Sequence, residues 1–244
     1  MIKDLRFLTQ KPIAHRGLYD DEVVENSLLA FSRAMDAGYP IELDVQMTLD
    51  KKLVVFHDWD LDRLTGNSGK LSEKTYDEIK DLYLNDTRQK ILLFEDVLRL
   101  IDGNVPLVIE IKSQKYFDNS ICKEVHKVIK DYNGKFAISS FNPFVVRWFA
   151  KEHRDIVRGQ NFTDFKNNGK IIVCIKKIFS YFLWILSNND PDFYAVRVSM
   201  LPKSFPVRNA IRHKKIILAY TIKSKKDYDR IKDIVDNGFF DNLD

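Results

Sequence analysis

Short apolar runs alternate along this chain with longer stretches of helical periodicity. Runs at Pro12–His15, Pro40–Val45, Leu53–His57, Val105–Ile111, Lys135–Ser139, Ile156–Gly159, Phe193–Val198 and Lys215–Thr221 predict eight strands. Between them, Asn26–Ala37, Phe94–Ile101, Ile121–Tyr132, Phe144–His153, Ile171–Leu186 and Lys226–Asn237 predict helices. In the first of these, Phe31, Ala34 and Met35 share a face behind Asn26, a residue type that caps helix N-termini. Gly38, Gly103, Gly134 and Gly238 each follow a helical stretch and precede a β-rich one, where a left-handed cap is wanted. Strands alternating with helices imply a parallel sheet covered by helices. Eight of them in 244 residues predict an α/β fold, a (β/α)8 TIM barrel with residues 1–244 as a single domain. The competitor is an open doubly wound sheet, but no Gly-x-Gly-x-x-Gly turn follows any strand.

Two places break the rhythm. Only Gln-Met-Thr-Leu-Asp-Lys-Lys separates Val45 from Leu53, too little for a crossover helix, so a tight turn is expected there. The polar stretch 58–93, with Gly66 and Gly69, predicts a small insertion after the third strand. Composition changes little: 45% apolar and 30% charged residues exclude disorder. A net charge of +4 from 39 Lys and Arg against 35 Asp and Glu is no nucleic-acid footprint. Two cysteines, Cys122 and Cys174, build neither a disulfide framework nor a Cys-x-x-Cys metal site. The first ten residues hold no long apolar run, so a cytoplasmic protein with reduced thiols is expected.

The unusual residues gather at strand ends in the first half. Strand two reads Ile41-Glu42-Leu43-Asp44-Val45, and alternation puts both carboxylates on one face. Facing inward they would repel unless they flank a divalent cation, whose hard-oxygen preference suits Mg2+ or Ca2+. Facing outward they would mark a solvated edge strand. Strand four repeats the device in Glu110-Ile111-Lys112, either as a third carboxylate with a point charge for an anionic substrate or as an internal ion pair. His15 and His57 end two other strands and could divide general acid and base work, although a lone rim histidine is more often structural. Arg16 adds a fork suited to phosphate. In a TIM barrel such a group falls at the catalytic, C-terminal rim.

The order His15-Arg16-Gly17, Glu25-Asn26-Ser27, Glu42-Leu43-Asp44, His57-Asp58, Glu110-Ile111-Lys112 and Ser139-Ser140-Phe141-Asn142 resembles the glycerophosphodiester phosphodiesterase family. The match is dense over 12–66, fair over 105–142 and weak beyond. The resemblance implies a TIM-barrel hydrolase that splits glycerophosphodiesters into glycerol 3-phosphate and an alcohol. It implies Glu42, Asp44 and Glu110 as cation ligands and His15 and His57 as acid and base. It further implies Arg16 and Lys112 as phosphate contacts, Asn26 as an organiser of the metal site, and Phe141 with Tyr220 as substrate-facing walls. It also implies attack by the glycerol hydroxyl, giving a cyclic phosphate that water then opens.

The chain departs from the family pattern near its end. Tyr220-Thr221-Ile222-Lys223 stands where the family carries Trp-Thr-Val-Asn, and the closing segment is reduced to Gly238–Asp244. Headgroup preference is what that departure affects. Ile171–Leu186 holds 13 apolar residues in 16, too short to span a bilayer, with Lys176, Lys177 and Ser180 as a polar stripe and Trp184 at its margin. It reads either as a deeply packed barrel helix or as a helix at a membrane surface. With the second reading goes an alternative function on lysophospholipids. A non-catalytic phosphodiester-binding barrel is a further alternative, disfavoured by the full histidine and carboxylate set.

Overall fold

The computed structural model describes residues 3–85, 87–164 and 170–241, with the side chains of 170–177 outside it. The elements in chain order are β1 (Ile13–His15), α1 (Leu28–Asp36), β2 (Ile41–Met47), β3 (Leu53–Val55), α2 (Asp62–Thr65), α3 (Tyr76–Ile79), β4 (Leu92–Leu93), α4 (Phe94–Ile101) and β5 (Leu107–Ile111). They continue with α5 (Ser120–Ile129), β6 (Phe136–Ser140), α6 (Pro143–Glu152), β7 (Val157–Phe162), α7 (Lys170–Ser187), β8 (Phe193–Arg197), α8 (Phe205–Arg212), β9 (Ile216–Ile222), α9 (Lys225–Ile231) and β10 (Asn237–Phe240). Among the described residues, β1, β2, β5, β6, β7, β8, β9 and β10 run parallel and close on themselves through β10–β1 pairing. The barrel is the predicted fold, built from seven of the eight predicted strands and one other.

Leu53–His57 is not a barrel strand. Its β3 portion pairs antiparallel with β2 (Val45 opposite Val55) and then with β4, so the tight turn expected after Val45 makes a hairpin outside the barrel. Residues of the insertion roof this hairpin with their own core of Phe56, Leu61, Leu64, Leu71, Ile79 and Ile91. The eighth strand is β10, in the stretch where the sequence predicts the end of a helix running from Lys226 to Asn237. That helix stops at Ile231, and Gly238 sits inside the strand, where a Cβ would come 2.7 Å from the Ala219 carbonyl oxygen. Gly38 and Gly103 do take the left-handed caps expected of them, at φ +69° and +76°.

Alternation sorts the side chains as the barrel requires. Ile41, Leu43 and Val45 of β2 and Leu107, Ile109 and Ile111 of β5 point outward into the core beneath the helices, with Phe31, Phe94, Val125 and Phe149. The inward faces are filled from below by Ile13, Val108, Ala137, Val157, Phe193, Leu218 and Phe239, and the floor is plugged by Phe7 and Leu8. Above this apolar layer the inward positions turn polar. Burial on the floor therefore leaves the C-terminal rim for chemistry.

Candidate active site

The turn after β1 and the register of three strands build the site. His15 lies opposite Glu42, and Asp44 lies opposite Glu110, so neighbouring strands deliver the groups side by side. Carboxylate oxygens of Glu42, Asp44 and Glu110 lie within 4.8 Å of one another. The turn is held in unusual backbone: Arg16 at φ 60°, Gly17 at φ 86° and Asn26 at φ 54°. Gly17 lies against α1, where a Cβ would meet the Ala30 backbone carbon at 2.8 Å. Gly17→Ala is expected to cost roughly 1–3 kcal/mol for the backbone alone and more for the clash. A lowered urea midpoint measures it.

Asn26 does not cap α1; Ser27 does, accepting from the Ala30 N–H at 3.2 Å. The Asn26 amide instead donates to Asp44 Oδ2 at 2.9 Å. The Arg16 backbone N–H donates to Glu42 Oε2 at 3.1 Å, and its guanidinium pairs with Glu25 at 2.6 Å, with its Nε 3.4 Å from Asp44. Lys112 Nζ lies 3.4 Å from Asp44 and 3.3 Å from Glu110. It also lies 5.4 Å from the centre of the Trp59 ring.

These contacts divide the three carboxylates. Burial, then the charges of Asp44 and Glu110, push the Glu42 carboxyl well above the usual range. Burial acts the same way on Asp44, but Lys112, Arg16 and His57 outweigh it and hold that carboxyl low. Three crowded carboxylates, one of them pushed toward its protonated form, are relieved by a cation among them. Their donor set is all hard oxygen, so the residues present fit a divalent cation.

Both histidines are tethered through Nδ1. His15 Nδ1 lies 2.7 Å from Asp241 Oδ1, and His57 Nδ1 lies 2.5 Å from Asp58 Oδ1. An ionised carboxylate only accepts, so in each ring Nδ1 carries the hydrogen and Nε2 is turned to the site. Burial raises the Asp241 carboxyl, yet the His15 contact prevails and keeps it low and ionised. Burial, with Lys112 and Arg16 nearby, lowers the His57 pKa and favours a neutral ring there. Arg63 braces Asp58 at 2.5 Å and reaches across to Glu25 at 2.7 Å, whose other partner is Arg16. A continuous line of ion pairs thus runs from Arg16 to His57.

The cavity above these groups has a volume of about 760 Å³. His15, Arg16, Glu42, His57, Glu110, Phe141 and Tyr220 line it, together with basic residues such as Arg197 and Lys223 at its outer edge. Phe141 and Tyr220 meet edge to face at 6.0 Å, and the Tyr220 hydroxyl donates to the Phe162 carbonyl at 2.6 Å. Asp44, Asn26 and Lys112 sit behind this wall, and Lys112, expected on the phosphate, is engaged by the carboxylates.

The model of the Glycerophosphoryl diester phosphodiesterase family matches residues 15–240. The chain belongs to this family. A glycerophosphodiester phosphodiesterase of Caldanaerobacter subterraneus subsp. tengcongensis is 41% identical over 145 residues, 55% of this chain and 59% of that protein. The chain spans about three fifths of the length of this relative and of one from Bacillus altitudinis, which is 34% identical over 152 residues. Among solved structures, an Oleispira antarctica phosphodiesterase in complex with the product sn-glycerol-3-phosphate superposes with a TM-score of 0.78. It is 21% identical, over 96% of this chain and 93% of that one.

Within this glycerophosphodiester phosphodiesterase-family chain, four contributors had no role assigned from the sequence. Asp241, Asp58 and Arg63 orient or brace the histidines, and Asn161 donates to Glu110 Oε2 at 3.1 Å. Asp58 stands beside His57 in the His57-Asp58 motif, which gave it no role. Asn161 was hidden because the strand predicted to end at Gly159 continues to Phe162.

Proposed function

We propose that this chain is a cation-dependent phosphodiesterase hydrolysing glycerophosphodiesters to glycerol 3-phosphate and an alcohol. The observation that carries this reading is a pair of carboxylate-tethered histidines flanking three clustered carboxylates in one cavity. Glu42, Asp44 and Glu110 would hold the cation, Mg2+ or Ca2+. Bound there, it would supply Lewis-acid stabilisation of charge on the phosphoryl oxygens.

The rest falls to the chain itself. Arg16 brings a buried positive charge to a substrate that is already anionic. One histidine, neutral at Nε2, takes the proton of the free glycerol hydroxyl as its oxygen attacks phosphorus. The other gives a proton to the departing alcohol as the P–O bond breaks. A water then opens the cyclic phosphate with the two roles reversed, so one water is consumed overall. Asp241 and Asp58 keep each ring's Nε2 on the substrate side throughout. Phe141 and Tyr220 form the wall against which the glycerol or its headgroup lies.

The test is release of glycerol 3-phosphate from glycerophosphocholine. EDTA is expected to stop it, with Mg2+ or Ca2+ restoring it. Turnover that survives exhaustive chelation, or no release under any metal, would overturn the proposal.

A further inference from the structure

Helix α7 is placed inside out for a soluble barrel. Leu183, Trp184 and Ser187 face the barrel, Trp184 against Phe162, Tyr194 and Phe205. The opposite face presents Ile178, Phe179, Phe182, Ile185 and Leu186 to solvent, each 53–63% exposed. Their spacing at i, i+1, i+4, i+7 and i+8 makes them one continuous stripe. The stripe continues onto the loop after β5, where Tyr116 packs edge to face on Phe179 at 6.4 Å and Phe117 is 77% exposed. Lys115 beside them extends into solvent with an 82% exposed side chain. Apolar patches of this kind on a rim mark interaction sites. No described helix is long and apolar enough to cross a membrane.

The stripe is joined to the reaction centre. A groove of about 570 Å³ runs from Phe179 and Tyr116 past Trp59, Phe141 and Phe162 to His57 and Glu110. It shares His57, Glu110, Phe141, Asn161 and Thr163 with the main cavity. One end is therefore fit for a phosphodiester and the other for a hydrocarbon. A molecule that occupies both ends is a single-chain amphiphile, and it resides in a lipid surface.

We propose that α7 and the Tyr116–Phe117 loop seat the protein on a lipid surface, and that the groove leads one acyl chain of a monoacyl glycerophosphodiester to the site. The proposal rests on the phosphodiesterase reading for its chemistry but not for its docking. A monoacyl substrate keeps one free glycerol hydroxyl, as the proposed attack requires. With one water consumed, the P–O bond to the headgroup alcohol breaks. The alcohol leaves with a proton, and monoacylglycerol phosphate remains. Lys115 favours anionic lipid at the rim. A second copy of this chain on the stripe would instead cover the groove mouth.

The test compares the whole chain with Ile178→Asp/Phe182→Asp, whose positions lie in solvent and outside both cavities. Sedimentation with vesicles of equal phosphatidylcholine and phosphatidylglycerol is expected for the parent, with partitioning at least about tenfold weaker for the variant. Hydrolysis of glycerophosphocholine should be unchanged in the variant, while hydrolysis of lysophosphatidylcholine in those vesicles falls in step with binding. Dodecylphosphocholine below its micelle concentration should shift Trp fluorescence, and Trp59→Phe should remove the shift. Intact glycerophosphocholine hydrolysis with neither vesicle binding nor a Trp59 response overturns the docking and leaves the phosphodiesterase reading standing. Vesicle binding with no hydrolysis of either substrate does the reverse. A parent dimer that the variant breaks into monomers, without vesicle binding, makes the stripe a subunit interface and also overturns the inference.

Discussion

Replacing His57 or His15 by Ala is expected to lower kcat on glycerophosphocholine by about 10²–10⁴-fold, the range for loss of a positioned acid or base. The two rings are mounted alike, each with Nδ1 on a carboxylate, so neither is a spare for the other. Burial lowers the His57 pKa, and it stays a neutral acceptor where an imidazolium would be useless as a base. The loss should appear in kcat rather than KM, because each ring moves a proton in the transition state while Arg16 brings the charge that meets the phosphate. Steady-state kinetics on both variants, with circular dichroism to show an intact barrel, measure it. Near-parental turnover in both would remove the histidines from the mechanism.

The second large effect separates two carboxylates that look equivalent in sequence. In EDTA, Asp44→Asn is expected to destabilise the fold by about 3 kcal/mol, because it removes one carboxylate partner from each of two buried cations. Lys112 and Arg16 both converge on Asp44. Glu42→Gln should do the opposite and raise stability under the same conditions. The sign follows from linkage: the folded carboxyl is raised above its unfolded value, so its ionised form opposes folding at neutral pH and ceases to do so as pH falls. The amide oxygen of Gln can still accept from the Arg16 N–H. Neither variant is expected to turn over substrate. Urea titrations at neutral pH decide it, and a Glu42→Gln loss as large as that of Asp44→Asn would refute the division.

The alternation Ile41-Glu42-Leu43-Asp44-Val45 made the centre of the site legible, because a period of two leaves little choice once the apolar partners are known to be buried. The barrel was legible for the same reason, while one of its eight strands was misplaced. An apolar run such as Leu53–His57 does not state whether its partner runs parallel or antiparallel. β10, at four residues with a glycine inside it, carries almost no periodic signal of its own. The braces of the histidines were hidden by distance: Arg63 and Glu25 are separated by 38 positions, and His15 and Asp241 by 226. Pairing of β1 with β2 and of β2 with β3 brings the first two together, and closure of the barrel brings the second two together. For Lys112, the sequence showed a cation two places from a carboxylate, and the structure shows it committed to two of them. For Ile171–Leu186, periodicity gave a stripe but not which side faces the barrel. The side chains of Cys174, Lys176 and Lys177 lie outside the described residues.

The seam between β1 and β10 sets the order in which a nascent chain can complete its site. The floor turn at Arg6–Leu8 is tied by the Asn237 amide, which donates to the Leu8 and Lys11 carbonyls at 2.7 Å, and His15 is aimed by Asp241. Residues translated first therefore wait for those translated more than 220 positions later. Until β10 arrives, β1 and β9 each expose an open strand edge, a template for pairing with other chains. Barrel closure and the aiming of His15 thus coincide, and a chain halted before Asn237 has the carboxylate cluster but not the finished site.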